Sequence, residues 1–463
     1  MKLNQLGRQL VGLLAKAAPL LLVAGSSFVA PQLLLAQQPT QFQTAAHFRQ
    51  SALVQAEAIP SPPGISQDVP QPQPSLSLAN LEELALCSNP SLARAQAQVQ
   101  MARGNWIQVG LPPNPSVGYS GQQLGSGGLA EQHGIYVTQE IVRGGKLNLN
   151  RQAAAHEVAQ AEQNVIAQQF RVLTDVRMAF YQVLIAQRQI DVAHVIAGNY
   201  TKAVETTDRL FQAQEISKLE VLQAKFEYET AQVTLRNAQH RHAAAWQSLT
   251  AVVGQPHLAP QALAGDAAMA PKPFDYQQTL QHILSASPEI AAAVSNIERA
   301  RWAYQRALVE KKGNVNVQGL YNWQDNGIGG QPDGSLVVDM PIPIWNKNQG
   351  GIVRAQGEVA VAERALQQVE LDLQQRLAPV YERYQNARNQ VERYEKTILT
   401  LAKESSDLSR KAFQAGELNY LSLLLAERSF ATANLAYLDA LRDLRLAEAE
   451  MDGFLLQNSL SAR

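Results

Sequence analysis

The sequence predicts a mostly α-helical protein with a small β part, and three observations lead to that fold class. The chain contains one unit twice: Pro90-Ser-Leu opens the first copy, Pro288-Glu-Ile opens the second, and each copy runs through two short alternating strands into a very long helical stretch. Residues 147–211 contain no proline, so this stretch could extend roughly 100 Å as one helix. Both long stretches break at matching motifs, at 211–217 and 413–419. Such duplication indicates an architectural chain whose unit packs on copies of itself.

The N-terminus has the pattern of an export signal. Basic residues precede the apolar run 17–24, and small residues follow it. A membrane anchor is the alternative, but Lys16 and Pro19 shorten the apolar stretch below a membrane span. No long apolar run follows, so an exported chain of this kind is soluble or spans a membrane as strands. Three cleavage points fit the pattern: after Ser26, after Ala30 or after Ala36.

The rest of the chain divides at its Pro-rich stretches. The predicted organisation is a signal peptide at 1–36, a Gln- and Pro-rich flexible segment at 37–77, repeat one at 78–254, a connector at 255–274, repeat two at 275–456 and a tail at 457–463. The connector holds several prolines and cannot be a single helix.

Composition excludes two classes of protein. The formal net charge is −1, whereas a nucleic-acid-binding protein normally has a basic excess, so no nucleic-acid partner is expected. Cys87 is the only cysteine, which excludes an intrachain disulfide and cysteine-rich zinc sites. We expect this thiol to pack as a small apolar residue.

Apolar residues recur every seven positions along both long helical stretches, which indicates coiled-coil packing. The stripes comprise Val158, Val165, Val172 and Ala179 in the first copy and Leu424, Ala431 and Leu438 in the second. The second copy departs at Pro379, where a helix must lose a hydrogen bond, and a kink or a local break is expected there.

Four short segments alternate apolar and polar residues, as strands with two different faces do. They surround Val117, Val137, Val317 and Val338. One interpretation is a membrane barrel with a wet lumen, and the other is a half-buried sheet of a soluble protein. A closed membrane barrel needs about eight strands or more, so a barrel would require several copies of the chain.

No catalytic, cofactor or metal site is predicted, and we do not expect an enzyme. Arg143-Gly-Gly-Lys146 resembles the end of a phosphate-binding loop. Glu140, however, stands where the loop's first glycine belongs, and Leu147 replaces the Ser or Thr that would hold magnesium. The two glycines therefore indicate a strand-to-helix turn.

Charged residues near the two breaks are candidates for a gate. They are Asp208 and Arg209 before the first break and Glu404, Asp407 and Arg410 before the second. In one interpretation they form a charged ring that closes the end of a tube and opens when ion pairs exchange. In the other they are a solvated helix face with pairs between successive turns. Both interpretations stay open.

The run Met340-Pro-Ile-Pro-Ile-Trp-Asn-Lys-Asn-Gln-Gly, the Pro112-Pro-Asn-Pro start of the first strand and the two break motifs resemble the TolC-like outer-membrane efflux proteins. The Met340 run is similar to the CzcC-like, heavy-metal efflux branch. The resemblance covers residues 78–456 and implies a homotrimer in the outer membrane of a Gram-negative-type bacterium. Each protomer would contribute four strands to a shared transmembrane β-barrel and its helical hairpins to a trimeric, periplasmic α-barrel.

The resemblance also implies partners and a function. The partners would be a periplasmic adaptor (membrane fusion protein) and an inner-membrane RND-type pump, with outer-membrane lipid around the barrel. The chain would be a passive conduit for divalent heavy-metal cations; the alternatives are a duct for drugs or other organic compounds, a type I secretion duct and a non-channel periplasmic coiled-coil scaffold. Adaptor contacts are expected at Glu215, Ile216, Ser217 and Leu219 and at Gly416, Glu417, Leu418 and Asn419. Gln214 stands where the family usually has glycine, and Glu220 where it usually has aspartate.

Overall fold

A computed structural model describes residues 76–124, 130–325 and 328–461. The predicted signal peptide and nearly all of the Gln- and Pro-rich segment lie outside the described residues. Within the described ranges no helix is long and apolar enough to cross a membrane.

The described elements follow the same order in each half of the chain. In the first half they are β1 (Leu76–Ser77), α1 (Leu78–Ser88), α2 (Pro90–Gln108), β2 (Ser116–Leu124), β3 (Ala130–Ile141), α3 (Lys146–Gln212) and α4 (Lys218–Val253). In the second half they are β4 (Leu263–Ala264), α5 (Tyr276–Ala286), α6 (Pro288–Val309), β5 (Val315–Asp325), β6 (Asp333–Asp339), α7 (Gln349–Arg393), a π-helical turn (Tyr394–Ile398), α8 (Leu399–Gln414) and α9 (Tyr420–Asp452).

Two long helical hairpins dominate the fold. Hairpin one consists of α3 and α4, and hairpin two of α7 and α8 returning as α9. The predicted breaks are confirmed, because α3 ends at Gln212 and α8 ends at Gln414, each a few residues before the returning helix begins. At 67 residues, α3 extends roughly 100 Å. The hairpins pack side by side through α3 and α9.

The four predicted strands form one antiparallel sheet in the order β2-β3-β5-β6. Its central pair joins β3 of the first half to β5 of the second, so the sheet exists only because both halves contribute to it. The short strands β1 and β4 make a separate parallel pair. The connector between the halves is not helical, as expected, and Arg445 of α9 holds it through the carbonyl of Ala267 at 2.8 Å.

The main core lies where the middle of α3 meets α1, the end of α4, α7 and α9. It contains residues of α3 at helical seam spacing, Val172, Val176, Phe180 and Val183, packed with Leu249, Leu377 and Leu444. Of the predicted stripes, Val172, Ala179, Leu424 and Leu438 are buried. Cys87 is exposed, so its expected burial as a packing residue is wrong.

The local break expected at Pro379 does not occur. Helix α7 runs through this residue without interruption and first departs from α geometry at the π-helical turn, fifteen residues later. Pro379 and Gln375, whose carbonyl loses its usual partner, are both exposed, while Leu377 and Val380 are buried on the opposite face. The buried contacts of α7 therefore outweigh the one missing hydrogen bond.

Candidate functional site

The two hairpin tips have the same backbone conformation. Gln214 and Gly416 both adopt the left-handed region, with φ of 63° and 77°. In hairpin one the amide of Glu215 donates to the carbonyl of Leu210 at 2.9 Å, and in hairpin two the amide of Glu417 donates to Ala412 at 2.9 Å. These are helix-ending bonds of the Schellman type. Glycine suits this conformation in the second tip, whereas the first tip imposes it on a glutamine.

Each returning helix begins with a polar cap. The carboxylate of Glu220 accepts a hydrogen bond from the amide of Ser217 at 2.8 Å, and the side chain of Asn419 accepts one from the amide of Ser422 at 2.9 Å. Capping satisfies amides that the helix itself leaves free. The side chain of Glu220 is thus long enough to reach the Ser217 amide and cap the returning helix.

The structure brings the expected docking residues together at each tip. Those exposed are Glu215, Ser217, Leu219, Gly416, Glu417 and Asn419, while Ile216 and Leu418 are half-buried in equivalent positions. The two half-buried residues anchor the turns, and the exposed ones form the surface that a partner can reach.

The two tips differ in their aromatic residues. Phe413 is 5% exposed and packs edge-to-face with Tyr420, at 5.9 Å between ring centroids. Both belong to a cluster that includes Ile196 and Tyr200 of hairpin one. Phe211, the counterpart of Phe413, is 42% exposed. Hairpin two therefore docks on hairpin one, whereas the equivalent face of hairpin one has no contact of this kind within the described chain.

The candidate gate residues pair mainly within their own hairpins. Asp208 bonds Lys225 at 3.2 Å between Oδ1 and Nζ. Arg410 lies 3.7 Å from Asp407 and bonds Glu427 at 2.5 Å. Of the five candidates, only Asp407 and Arg410 contact each other as an ion pair in the described structure. Arg209 donates to the Glu205 carbonyl at 3.3 Å, and Glu404 is exposed.

The ion pairs Asp208–Lys225 and Arg410–Glu427 occupy equivalent positions with reversed polarity. When Phe211 is aligned with Phe413, Asp208 falls on Arg410 and Lys225 falls on Glu427. The duplicated unit thus keeps a charge pair across each hairpin near the tip but exchanges which helix carries the acid. The two pairs also differ in burial, because Lys225 and Asp208 are 53% and 41% exposed while Glu427 is 8% exposed.

A buried polar cluster between the hairpins was not predicted. Glu227 of α4 bonds Arg428 of α9, and Asn199 of α3 donates to Glu427 at 3.2 Å. Tyr200 lies nearby, and burial together with the two glutamates raises its pKa to about 12. The signal available in the sequence was an acid interrupting an apolar seam, since Glu227 follows Val221 and Ala224 on the buried face of α4.

The sheet has one apolar and one polar face. Val117, Val137, Gly319 and Leu336 form one row of the apolar face, and Glu140, Asn316 and Asp339 form one row of the polar face. Apolar side chains such as Val117 and Leu336 are more than half exposed. No Lys or Arg occurs in the four described strands, while the polar face carries the carboxylates Glu140, Asp325, Asp333 and Asp339.

A polar network joins the sheet to the helices. The predicted strand-to-helix turn is confirmed, with Gly144 and Gly145 at φ of 76° and 69°. The ammonium of Lys146, which is buried, donates to Asn314 at 3.0 Å and lies 3.5 Å from Glu310. Lys146 of the first half therefore stabilises the junction by contacting Asn314 and Glu310 of the second half.

The described residues contain no group of three or more His, Cys, Asp or Glu side chains arranged to hold a metal ion.

The outer membrane efflux protein family model matches residues 81–255 and 279–455, and the chain belongs to this family. It is 24% identical, over 389 residues, to the cobalt-zinc-cadmium resistance protein CzcC of Cupriavidus metallidurans, covering 82% of this chain and 90% of that protein.

Solved structures with the same fold include CusC (TM-score 0.66, 19% identity, 82% of this chain and 92% of that chain) and the outer-membrane channel OprN (TM-score 0.69, 18% identity, 82% and 90%). The outer membrane protein VceC of Vibrio cholerae is similar at a TM-score of 0.66 and 18% identity, over 82% of this chain and 96% of that chain.

Proposed function

We propose that this protein is the outer-membrane channel subunit of a tripartite efflux system, a passive conduit that does no chemistry. The observation that carries the proposal is a sheet with an exposed apolar face and an acidic polar face, joined to helical hairpins of which one arm, α3, extends about 100 Å. In a membrane the apolar face would contact lipid while the polar face lines water. The hairpins would continue the wet path into the periplasm.

A homotrimer would give each edge strand of the sheet a hydrogen-bonding partner from a neighbouring copy. Strands β2 and β6 are its outer strands, and each has one side without a strand partner in the described chain. Lipid cannot hydrogen-bond free backbone groups, so a membrane sheet must close on itself. Three copies of the four-stranded sheet make twelve strands, an even number within the range of membrane barrels.

The duplicated hairpins support the same ring. Inside the chain, Phe413 of hairpin two shares a cluster with Ile196 of hairpin one. Their counterparts in the other repeat, Phe211 near the end of α3 and Ile398 in the π-helical turn before α8, are both exposed. A second copy could therefore repeat between chains the contact already made within one. Further apolar residues are exposed on the two neighbouring helices: Leu219, Leu222 and Phe226 on α4 and Leu401 and Leu408 on α8.

Cysteine cross-linking tests this ring. In a Cys87→Ser background, Phe211→Cys combined with Ile398→Cys should give covalent trimers on oxidation. Phe413→Cys combined with Ile196→Cys, the matched control, should give only cross-links within one chain. Monomers from the first pair alongside efficient reaction of the second would count against the ring.

The tips would meet the periplasmic adaptor of the pump. Their exposed residues include Glu215, Ser217, Glu417 and Asn419, and the ring would present each tip three times. The nearby charges Asp208, Arg209, Glu404, Asp407 and Arg410 are retained as the proposed gate, with the solvated face as its alternative. The exposed pair of Asp208 with Lys225 is worth less than about 1 kcal/mol, so an adaptor could break it easily. Arg410 is held more firmly, because its partner Glu427 is buried.

Divalent heavy-metal cations are the proposed cargo. The Met340 run and the similarity to CzcC support this assignment. The polar face of the sheet, with carboxylates and no Lys or Arg in its strands, would favour cations over anions. An inner-membrane RND-type pump would supply the energy.

Growth of a deletion strain on zinc, cobalt, nickel, cadmium, copper and silver, with drugs and detergents alongside, tests the cargo. Metal sensitivity that the intact gene restores would support the proposal and name the ion. Sensitivity to drugs or detergents alone would support the conduit but contradict metal cations as its cargo. Recovery of the protein from the soluble fraction without detergent would instead favour a periplasmic scaffold.

A further inference from the structure

The segment that connects β6 to α7, residues 340–347 and here named the exit loop, carries unusually exposed apolar side chains. Trp345 is 85% exposed, the largest fraction among the large apolar side chains of the described residues, and Ile342 is 74% exposed. Ile344 and Met340 are also exposed. Large apolar side chains clustered at a surface usually mark a contact with a partner or a membrane.

The backbone of the exit loop holds these side chains outward. Pro341 and Pro343 restrict the chain, and the amide of Ile344 donates to the carbonyl of Ile342 at 2.9 Å. The carbonyl of Pro341 lies so close to Gly313 that a Cβ there would approach it to 2.5 Å. The loop is thus seated against the turn between α6 and β5.

The exit loop begins where the apolar face of the sheet ends. Leu336 and Val338 of β6 are exposed on that face. Met340, two residues further on, is exposed as well, and the loop then leads into α7. An apolar surface therefore continues from the sheet to the side on which the helices start.

Basic residues surround the exit loop. Lys311 and the residues Ile342 and Trp345 line one open cleft of about 350 Å³. Arg143 contacts the Met340 sulfur. Further basic side chains, Lys312 at the α6–β5 turn and Lys347 at the end of the loop, are exposed.

Glu310, the acid that lines this cleft, is already paired. Glu310 bonds both Arg306 and Lys146, and these partners hold the pKa of its carboxyl below the usual value despite the opposing effect of burial. The basic residues around the exit loop thus remain available to an outside anion.

We propose that the exit loop inserts into the head-group region of a phospholipid leaflet, on the side of the membrane that faces the helices. Tryptophan is the residue that favours this interface, because its ring is apolar while its N–H can reach water. Lys311, Lys312, Lys347 and Arg143 would lie at the level of the lipid phosphates. This inference rests on the proposed function, which places the sheet in a membrane.

Quenching of tryptophan fluorescence by brominated lipid tests the insertion. The full-length protein is reconstituted into phosphatidylcholine vesicles with bromine placed near the head group or near the chain end. Subtracting the signal of Trp345→Phe from that of the unchanged protein isolates Trp345. Trp323→Phe isolates a residue of the sheet in the same way, and Trp302→Phe isolates a residue of α6.

Insertion predicts that Trp345 is quenched more by bromine near the head group than by bromine near the chain end, while Trp302 is not quenched. Quenching of Trp323 without quenching of Trp345 would overturn the inference. The exit loop would then contact a second copy of the chain or water, and the proposal that the sheet lies in the membrane would stand. Absence of quenching at both Trp323 and Trp345 would overturn the proposed membrane sheet itself.

Vesicles that contain an anionic lipid test the role of the basic residues. Adding phosphatidylglycerol to the vesicles should increase the quenching of Trp345 near the head group. The combined variant Lys311→Gln, Lys312→Gln and Lys347→Gln should lose that increase while Trp323 keeps its quenching. An equal response of the variant and the unchanged protein would overturn the role of these lysines.

Discussion

The reversed ion pairs near the two tips predict unequal responses to the same kind of substitution. Glu427 is 8% exposed and accepts from Arg410 at 2.5 Å and from Asn199 at 3.2 Å. Arg410→Ala would leave this carboxylate buried with only the amide. Removing one partner of a buried pair costs about 3–5 kcal/mol, and because Arg410 itself is 34% exposed we expect about 2–3 kcal/mol.

The matched substitution in hairpin one is Asp208→Ala, because Asp208 is the counterpart of Arg410. Both Asp208 and Lys225 are more than one-third exposed, so the loss should stay within about 1 kcal/mol. A difference of this kind separates the two hairpins although their charges stand at equivalent positions.

Hydrogen exchange of the detergent-solubilised protein, read by mass spectrometry, measures this difference. A local loss of about 2–3 kcal/mol corresponds to exchange that is roughly 30- to 150-fold faster in residues around 405–430. Asp208→Ala should change residues around 205–230 by no more than about 5-fold. The double variant Arg410→Ala with Glu427→Ala should recover part of the protection, because no buried carboxylate remains. Equal effects in the two hairpins, or purely additive effects in the double variant, would refute the reasoning.

Four further variants have expected outcomes. Gln214→Gly should stabilise the first tip by about 1 kcal/mol, because it removes a glutamine from the left-handed region, and hydrogen exchange at the tip measures this. Gly416→Val should slow export without abolishing trimers, and an efflux assay measures this. Tyr420→Phe should be neutral or stabilising by up to about 1 kcal/mol, because the Tyr420 hydroxyl is buried without a hydrogen-bond partner in the described structure; thermal unfolding measures it. Asp208→Asn combined with Asp407→Asn should raise the resting conductance in planar bilayers if these residues gate.

Controls make these outcomes decisive. Gly416→Ala separates backbone strain from branching, because nothing lies within 4 Å of a Cβ at this position. Normal export by Gly416→Val would count against a constrained tip. A clear loss of stability in Tyr420→Phe would mean that its hydroxyl has a partner after all. Unchanged conductance in the double Asn variant would favour the solvated face over the gate.

Much of the fold could be predicted from local patterns. The alternation around Val137 and Val317 marks strands, and the run from Leu147 to Phe211 marks one long helix, because both signals depend only on residues close in sequence. The tip positions follow from the motif shared by the two copies. The local break expected at Pro379 does not occur, because the buried contacts of α7 outweigh the one hydrogen bond that this proline removes.

The sequence by itself determined the duplication, the element types, the breaks and the family to which the chain is similar. Only the tertiary structure decided that β3 pairs with β5, that Glu227 bonds Arg428 from 201 residues away, and that Phe413 is covered while Phe211 is not. The physical reason is that periodicity shows which face of an element is apolar but not which other element covers it. That choice depends on contacts between residues far apart in the chain. The two equivalent faces of a duplicated unit have similar sequence patterns, so the pattern does not show which of them is covered.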